Sequence, residues 1–191
     1  YDVVIFEQWD KPGGLMRTNI PAFRLPESVI DEEIGYITGM GAEIRYNSRI
    51  DSLEKLLSKG GFDAVFVGSG APKGKELDLP GRQEGAANIH IGIDWLESVA
   101  FKHLDRIGNR VLIIGVGNTA MDCCRSSLRL GAKDVKVMAR KPRQFFKASE
   151  WELEDAEAEN VEIVVNHAPK SFVVENGCLK GMLFDKMQYE L

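Results

Sequence analysis

Two kinds of cysteine chemistry are missing from this chain. Its three cysteines, Cys123, Cys124 and Cys178, form no C-x-x-C pair and no metal-ligand spacing. That excludes a dithiol reductase centre and a thiolate zinc site. The three histidines, His90, His103 and His167, are scattered, with no acidic or cysteine neighbour at ligand spacing, so ordinary surface or loop roles are expected for them. Positive charge is not in excess either. With 24 Lys and Arg against 29 Asp and Glu, the formal net charge is -5, and no long basic run offers a track for a phosphate backbone, which sets nucleic acid aside as a partner. No apolar run approaches the roughly 20 residues that span a bilayer, and none has the layout of a signal peptide. A membrane is therefore not expected. Trp9, Trp95 and Trp151 stand alone and read as packing residues.

What remains is ordinary for one or two globular domains: 191 residues, 44% hydrophobic and 28% charged. Cys123 and Cys124 fall on a predicted helix, where a small apolar side chain packs well. Free, unpaired thiols of this kind fit a cytoplasmic location. The chain opens on Tyr1 inside a predicted strand, which reads as a fragment of a longer protein.

The most informative stretch runs from Val111 to Ala120, where the apolar strand Val111-Leu112-Ile113-Ile114 passes directly into Gly115-Val116-Gly117-Asn118-Thr119-Ala120. This is a G-x-G-x-x-A turn between a strand and a helix. Gly115 permits the tight turn, Gly117 lets bare backbone approach a pyrophosphate, and Ala120 is small enough for close helix packing. The helix N-terminus adds free N–H groups and a positive dipole end. A helix from Thr119 to Leu130 stops at Gly131, and a second strand, Val135 to Ala139, ends at Arg140-Lys141. Arg140 lies 20 positions after Ala120, where such motifs carry the group that reads the adenosine ribose. A carboxylate there would suit the 2′-hydroxyl of NAD, whereas a guanidinium suits the 2′-phosphate of NADP. NADP is the prediction. The alternative, that Arg140, Lys141 and Arg143 are a solvated loop, stays open.

Elsewhere the pattern alternates short strands with helices, the signature of an α/β fold. Asp2 to Phe6 reads as a strand ending at Glu7, placed where an acid holds a ribose in a Rossmann unit. The glycine turn that would precede it is absent from this chain. Pro26 opens a predicted helix whose Ile30, Ile34 and Ile37 form a core stripe. A short strand is predicted at Glu43 to Tyr46, and a helix at Ser52 to Ser58 with Leu53, Leu56 and Leu57 buried. Ala64-Val65-Phe66-Val67 reads as a strand buried on both faces, running into Gly68-Ser69-Gly70-Ala71. An exposed crossover follows, then a helix around Ile93 to His103 and a domain boundary at Asn109. Ser149-x-x-Glu152 reads as a capping box for an acidic helix, followed by a strand at Val161 to Val165. Asn176-Gly177 joins Ser171–Glu175 to Cys178–Phe184 as a hairpin.

The order Glu7, Gly13-Gly14-Leu15, Ile20-Pro21-Ala22-Phe23-Arg24-Leu25-Pro26, Phe62 to Ala71 and Gly115 to Cys123 resembles the small (beta) subunit of NADPH-dependent glutamate synthase. It is similar also to the FAD and NADPH module of dihydropyrimidine dehydrogenase. The resemblance covers nearly the whole chain, and Ile20 to Pro26 is its most specific part. Both are two-dinucleotide flavoproteins of the pyridine nucleotide-disulfide oxidoreductase kind. The resemblance implies a three-layer Rossmann-like α/β fold in which an NADPH-binding domain (110–191, lacking its final strand) is inserted in an incomplete FAD-binding domain (1–109). It implies that Glu7 holds the FAD ribose, that Gly13, Gly14 and Leu15 lie against FAD, and that Gly70 marks the end of the first FAD segment. It further implies that Gly115, Gly117, Asn118, Thr119 and Ala120 cradle NADPH, and that Arg140, Lys141 and Lys147 take its 2′-phosphate.

The family's first FAD glycine turn, its cysteine-rich iron-sulfur segment and the segment closing the FAD site are not in this chain, so the FAD site is expected to be incomplete here. The implied activity is hydride transfer from NADPH to FAD and onward to a partner, either a larger catalytic subunit or an iron-sulfur or ferredoxin acceptor. The cofactors carry the chemistry, so no catalytic side chain is assigned. A non-catalytic dinucleotide-binding module of a larger redox complex is the alternative. A substrate dehydrogenase with one Rossmann unit lacks a Tyr-x-x-x-Lys pair and ranks last.

Overall fold

The computed structural model describes residues 1–189. The chain forms two compact units, Tyr1–Pro72 and Lys73–Leu191, and no helix among the described residues is long and apolar enough to cross a membrane.

In the first unit, β1 (Val4–Phe6) pairs in parallel with β2 (Glu43–Arg45), with Ile5 opposite Ile44. A parallel pair needs a crossover, and here it contains α1 (Gly14–Thr18) and α2 (Glu27–Gly39). Pro26 stands just before α2 with φ -59, the backbone angle that its ring pre-sets for a helix start. Of the predicted stripe, Ile30 is buried, Ile34 half-buried and Ile37 exposed, so the core face is narrower than expected. After β2, Ser52 caps α3 (Leu53–Lys59) by accepting the Lys55 N–H at 3.2 Å. Leu53 and Leu57 are exposed, and only Leu56 turns partly inward. Three leucines at helical spacing cannot all face a unit that packs against one side of a short helix.

The predicted strand Ala64 to Val67 is the clearest departure. It has no strand conformation, and Phe66 is 94% exposed. An apolar run becomes a strand only where a neighbour completes its ladder, and among the described residues β1 and β2 pair with each other alone. Phe62, just before it, does pack edge-on against Phe6 with ring centroids 5.6 Å apart.

In the second unit, β3 (Arg110–Ile114), β4 (Asp134–Met138) and β5 (Glu162–Val164) form an all-parallel sheet in that order. Between the strands run α5 (Asn118–Arg129) and α6 (Glu150–Ala158). Met121, Cys124, Val137, Leu153 and Ala156 form the closed centre of the core. A second cluster joins Cys123 to Trp95 and Leu96 of α4 (Gly92–Ala100). The fold is α/β with parallel sheets, as the alternating pattern implies.

β6 (His167–Glu175) and β7 (Cys178–Lys186) make the predicted hairpin. Asn176 and Gly177 both have positive φ, 51 and 73, as a type I′ turn requires. The strands extend further than the sequence pattern suggests because the register shift after Pro169 absorbs the missing donor. Against β6 lies the loop before α4: Phe172 N–H donates to Pro80 O at 2.8 Å, and a Cβ on Gly81 would come within 2.7 Å of Phe172 O. This contact, with α4 on α5, draws residues 73–109 into the second unit. The two compact units accordingly divide at Pro72/Lys73.

The expected Ser149/Glu152 capping box does not form. Ser149 stands at the start of α6 but makes no side-chain cap bond. Glu152 is only 2% exposed and pairs with Arg125 at 3.5 Å. A buried carboxylate seeks a cation before it seeks a backbone amide. Arg125 also reaches Asp155 at 2.9 Å and Glu159 at 3.0 Å, while Arg129 holds Glu159 at 2.6 Å. This network fastens α6 to α5.

The Arg129 hydrogen bond, joined by Arg125, holds the Glu159 carboxyl below its ordinary value of 4.5. A depressed carboxyl contributes stability that is complete above pH 4.5 and disappears as the pH falls through the lower folded-state value. Arg129→Ala should therefore lower the thermal midpoint by about 3 °C at neutral pH, with the difference from wild type vanishing in acid. Thermal melts recorded from pH 7 down to about pH 3 check the sign.

Candidate functional site

The centre of the site is the junction of β3 and α5. Gly115 has φ 124, and its N–H donates to Met138 O at 3.1 Å, so the turn starts in register with β4. Gly117 stands immediately before α5, and its carbonyl accepts the N–H groups of Ala120 and Met121 at 2.9 and 3.2 Å. A Cβ on Gly115 or Gly117 would meet nothing within 4 Å. The space over the turn is therefore open, as a site for approaching phosphates must be. Ala120 is buried against the sheet, whereas Asn118 and Thr119 are exposed.

The loop before α6 closes onto this turn. Lys147 and Ala148 both donate their N–H groups to Val116 O at 3.0 Å. Ser149 N–H donates to Asn118 Oδ1 at 2.9 Å. The structure thus brings Lys147 beside the glycine turn, while Asn118 Oδ1 is taken by the Ser149 amide. The start of α6 comes with the loop.

Arg140 and Lys141 follow the end of β4, and both are exposed. The Arg140 carbonyl accepts the Tyr189 hydroxyl at 2.7 Å, and Lys141 Nζ lies 5.4 Å from the centre of the Phe145 ring. Arg143 has a different fate. Its guanidinium is paired with Glu150 at 2.7 Å and Glu157 at 2.5 Å, and these hydrogen bonds, Glu157 foremost, hold it protonated well above the ordinary arginine range. The basic cluster seen in sequence therefore separates into one neutralised arginine and the pair Arg140 and Lys141.

In the first unit, Glu7 follows β1 and is half-buried, and its Oε1 accepts the Trp9 N–H at 3.0 Å. Gly13 has φ 123, and a Cβ there would meet Ile30 Cγ2 at 3.1 Å and Arg17 Cβ at 3.2 Å. Gly14 opens α1 with φ 49, and Leu15 is exposed. Gly70 is exposed with φ 68, in a stretch without regular structure. Sequence reasoning missed Arg17. Its buried side chain donates to Pro12 O at 2.6 Å, to Glu27 at 3.2 Å and to Asp31, holding the Pro12–Gly14 turn from beneath. It missed the Tyr189 contact as well, since nothing in spacing marks a hydroxyl 49 residues from its acceptor.

The cysteines of α5 are inert packing groups. Burial pushes the Cys124 thiol up to about 12 and raises Cys123 as well. No group of His, Cys, Asp and Glu among the described residues is arranged to hold a metal ion.

The pattern of pyridine nucleotide-disulphide oxidoreductases matches residues 28–190. The chain belongs to that family. It is 35% identical to the NADP(+)-dependent formate dehydrogenase subunit beta of Moorella thermoacetica, over 98% of this chain and 27% of that protein. It is 32% identical to the glutamate synthase [NADPH] small chain of Azospirillum brasilense, over 90% of this chain and 38% of that protein. Identity to the NAD-dependent dihydropyrimidine dehydrogenase subunit PreT homolog of Salmonella typhi is 37%, over 88% of this chain and 41% of that protein. The resemblance read from Glu7, Ile20–Pro26 and the glycine turn is borne out. The chain spans roughly a quarter to two fifths of the length of these curated relatives. In fold it matches an FprA oxidoreductase structure from Mycobacterium tuberculosis, with a TM-score of 0.77 at 14% identity over 97% of this chain and 62% of that one.

Because Gly115 has a left-handed φ and Gly117 does not, the two glycines should respond differently to a methyl group. Gly115→Ala should cost about 1–3 kcal/mol of stability, while Gly117→Ala stays within about 0.5 kcal/mol of wild type. Urea unfolding of both variants measures the contrast.

Proposed function

We propose that this chain is the electron-input portion of a larger oxidoreductase, with NADPH held by the unit Lys73–Leu191 and FAD held in part by Tyr1–Pro72. The observation that carries the reading is the placement of Arg140 and Lys141. They follow the strand next to an open glycine turn, while Arg143 is neutralised by Glu150 and Glu157. The names of the relatives do not decide the nucleotide, since they include both NADP- and NAD-dependent proteins. The cations do. A dianionic 2′-phosphate gains charge-assisted hydrogen bonds from Arg140 and Lys141, with Lys147 adding charge from the loop beside the turn.

The residues present fit both groups. The space over Gly117 is open, and the dipole of the 12-residue α5 favours a pyrophosphate there. Gly13 and Gly14 supply backbone that can lie close to a second ligand. Glu7 has one oxygen oriented by the Trp9 amide, which presents a fixed carboxylate to a ribose. Bound together, the two groups would supply hydride-transfer chemistry between nicotinamide and flavin. The chain's residues bind and orient, and no side chain is assigned proton transfer. An NADPH domain inserted in an FAD domain, and a larger partner subunit as the electron acceptor, complete the reading; three relatives are named as subunits or small chains.

The intact natural protein should show a flavin absorption band that bleaches on addition of NADPH under anaerobic conditions. A colourless protein that still binds NADPH would make the chain a non-catalytic binding module. Arg140→Ala combined with Lys141→Ala should weaken NADPH binding about 100-fold, with NADH affinity changed less than about threefold. Equal weakening of both nucleotides would remove the 2′-phosphate assignment.

A further inference from the structure

Three hydrogen bonds tie the glycine turn to the loop before α6, and they differ in kind. Two are main chain to main chain, from Lys147 and Ala148 N–H to Val116 O at 3.0 Å. Any residue but proline at those positions could make them. The third, from Ser149 N–H to Asn118 Oδ1 at 2.9 Å, depends on a side chain. A backbone N–H is a donor only, so the amide oxygen of Asn118 must face it. Ser149 in turn adjoins Glu150, the first residue of α6. Asn118 therefore anchors the far side of the Lys147 loop, accepting the Ser149 N–H that a capping box would give to the Glu152 carboxylate.

This geometry gives Asn118 a role within the protein, beside any contact it makes with a nucleotide. Its side-chain acceptor faces protein, and its own exposed position is the first residue of α5. We propose that Asn118 is a positioning residue for nucleotide selectivity: it holds residues 147–149 against the turn, so that Lys147 is presented to the phosphate-bearing ribose of the dinucleotide. The proposal rests on the NADPH reading of the same site and deepens it. A lysine is a flexible point charge, so its contribution to binding depends on how firmly its backbone is held. Two main-chain bonds fix that backbone at Lys147 and Ala148, and the Asn118 bond stops the chain from peeling away beyond them.

The bond can be broken from either end. Asn118→Ala removes the acceptor. Ser149→Pro removes the donor and leaves Asn118 intact, and Ser149 already has φ -63, which the proline ring accepts. NADPH and NADH affinities are titrated by calorimetry on the full chain of the intact protein, for these variants, for Lys147→Ala and for the Asn118→Ala/Lys147→Ala double variant. Each of the two bond-breaking variants should lower NADPH affinity about fivefold while NADH affinity stays within about twofold. The double variant should bind NADPH no more weakly than Lys147→Ala alone.

A merely structural role would weaken both nucleotides alike, and that result overturns the proposal. So does additivity in the double variant, or an unchanged NADPH affinity in Ser149→Pro. If Lys147→Ala leaves the NADPH-to-NADH ratio unchanged, the proposal falls while the dinucleotide site stands. A wild-type protein that binds neither nucleotide overturns both.

Discussion

Helix α5 is buried without interruption from Ala120 to Ser127, and that constraint organises the second unit. The sheet takes one side of it, through Ala120, Met121 and Cys124 against Val135 and Val137. On another side α4 brings Trp95 and Leu96 onto Cys123. The helix can be enclosed in this way because the residues facing its neighbours are small or flexible. Its polar members must then be satisfied internally. Ser127 Oγ donates to Cys123 O at 2.8 Å, and Arg125 is met by three carboxylates from α6 and the residue after it.

An enclosed helix has a fixed N-terminus. Everything at the candidate site follows from this: Gly117 caps a helix that cannot shift, Val116 offers its carbonyl at a defined place, and the loop to α6 is drawn onto the turn. The ion pairs between α5 and α6 run along the two helices, from Glu152 in the first turn of α6 to Glu159 just after its end, and they fall on Arg125 and Arg129 of α5. Charge pairing and the geometry of the glycine turn are thus linked through the packing of the same two helices. The acidic residues of α6 have a further effect, because Glu150 and Glu157 neutralise Arg143 and so leave Arg140 and Lys141 as the positive pair after β4.

The first unit is built on less. Its parallel pair is three residues long on each strand, and much of its apolar surface, including Phe66, Met40 and Tyr36, is open. Its firmest local feature is the Arg17 side chain beneath the Pro12–Gly14 turn, together with the close approach of Ile30 to Gly13. Only glycine accommodates both that contact and φ 123.

Much was legible in the linear chain because it is locally encoded. The glycine turn, the span of α5, the Asn176-Gly177 hairpin and the parallel α/β pattern all rest on near-neighbour chemistry: backbone sterics, apolar period and turn residues. The family resemblance was legible for the same reason, being carried by short contiguous motifs. Other features needed partners distant in sequence. Ala64 to Val67 has strand composition but no ladder, Glu152 has capping-box spacing but turns to Arg125, and Gly81 lies against Phe172 of the distant β6. Of three neighbouring cations, only folding showed that Arg143 is already paired and that Asn118 serves the loop bearing Lys147. Sequence by itself determined where backbone can turn and which residue types stand there; tertiary structure decided which of their hydrogen bonds and charges were already taken, because burial and pairing depend on what other parts of the chain bring alongside.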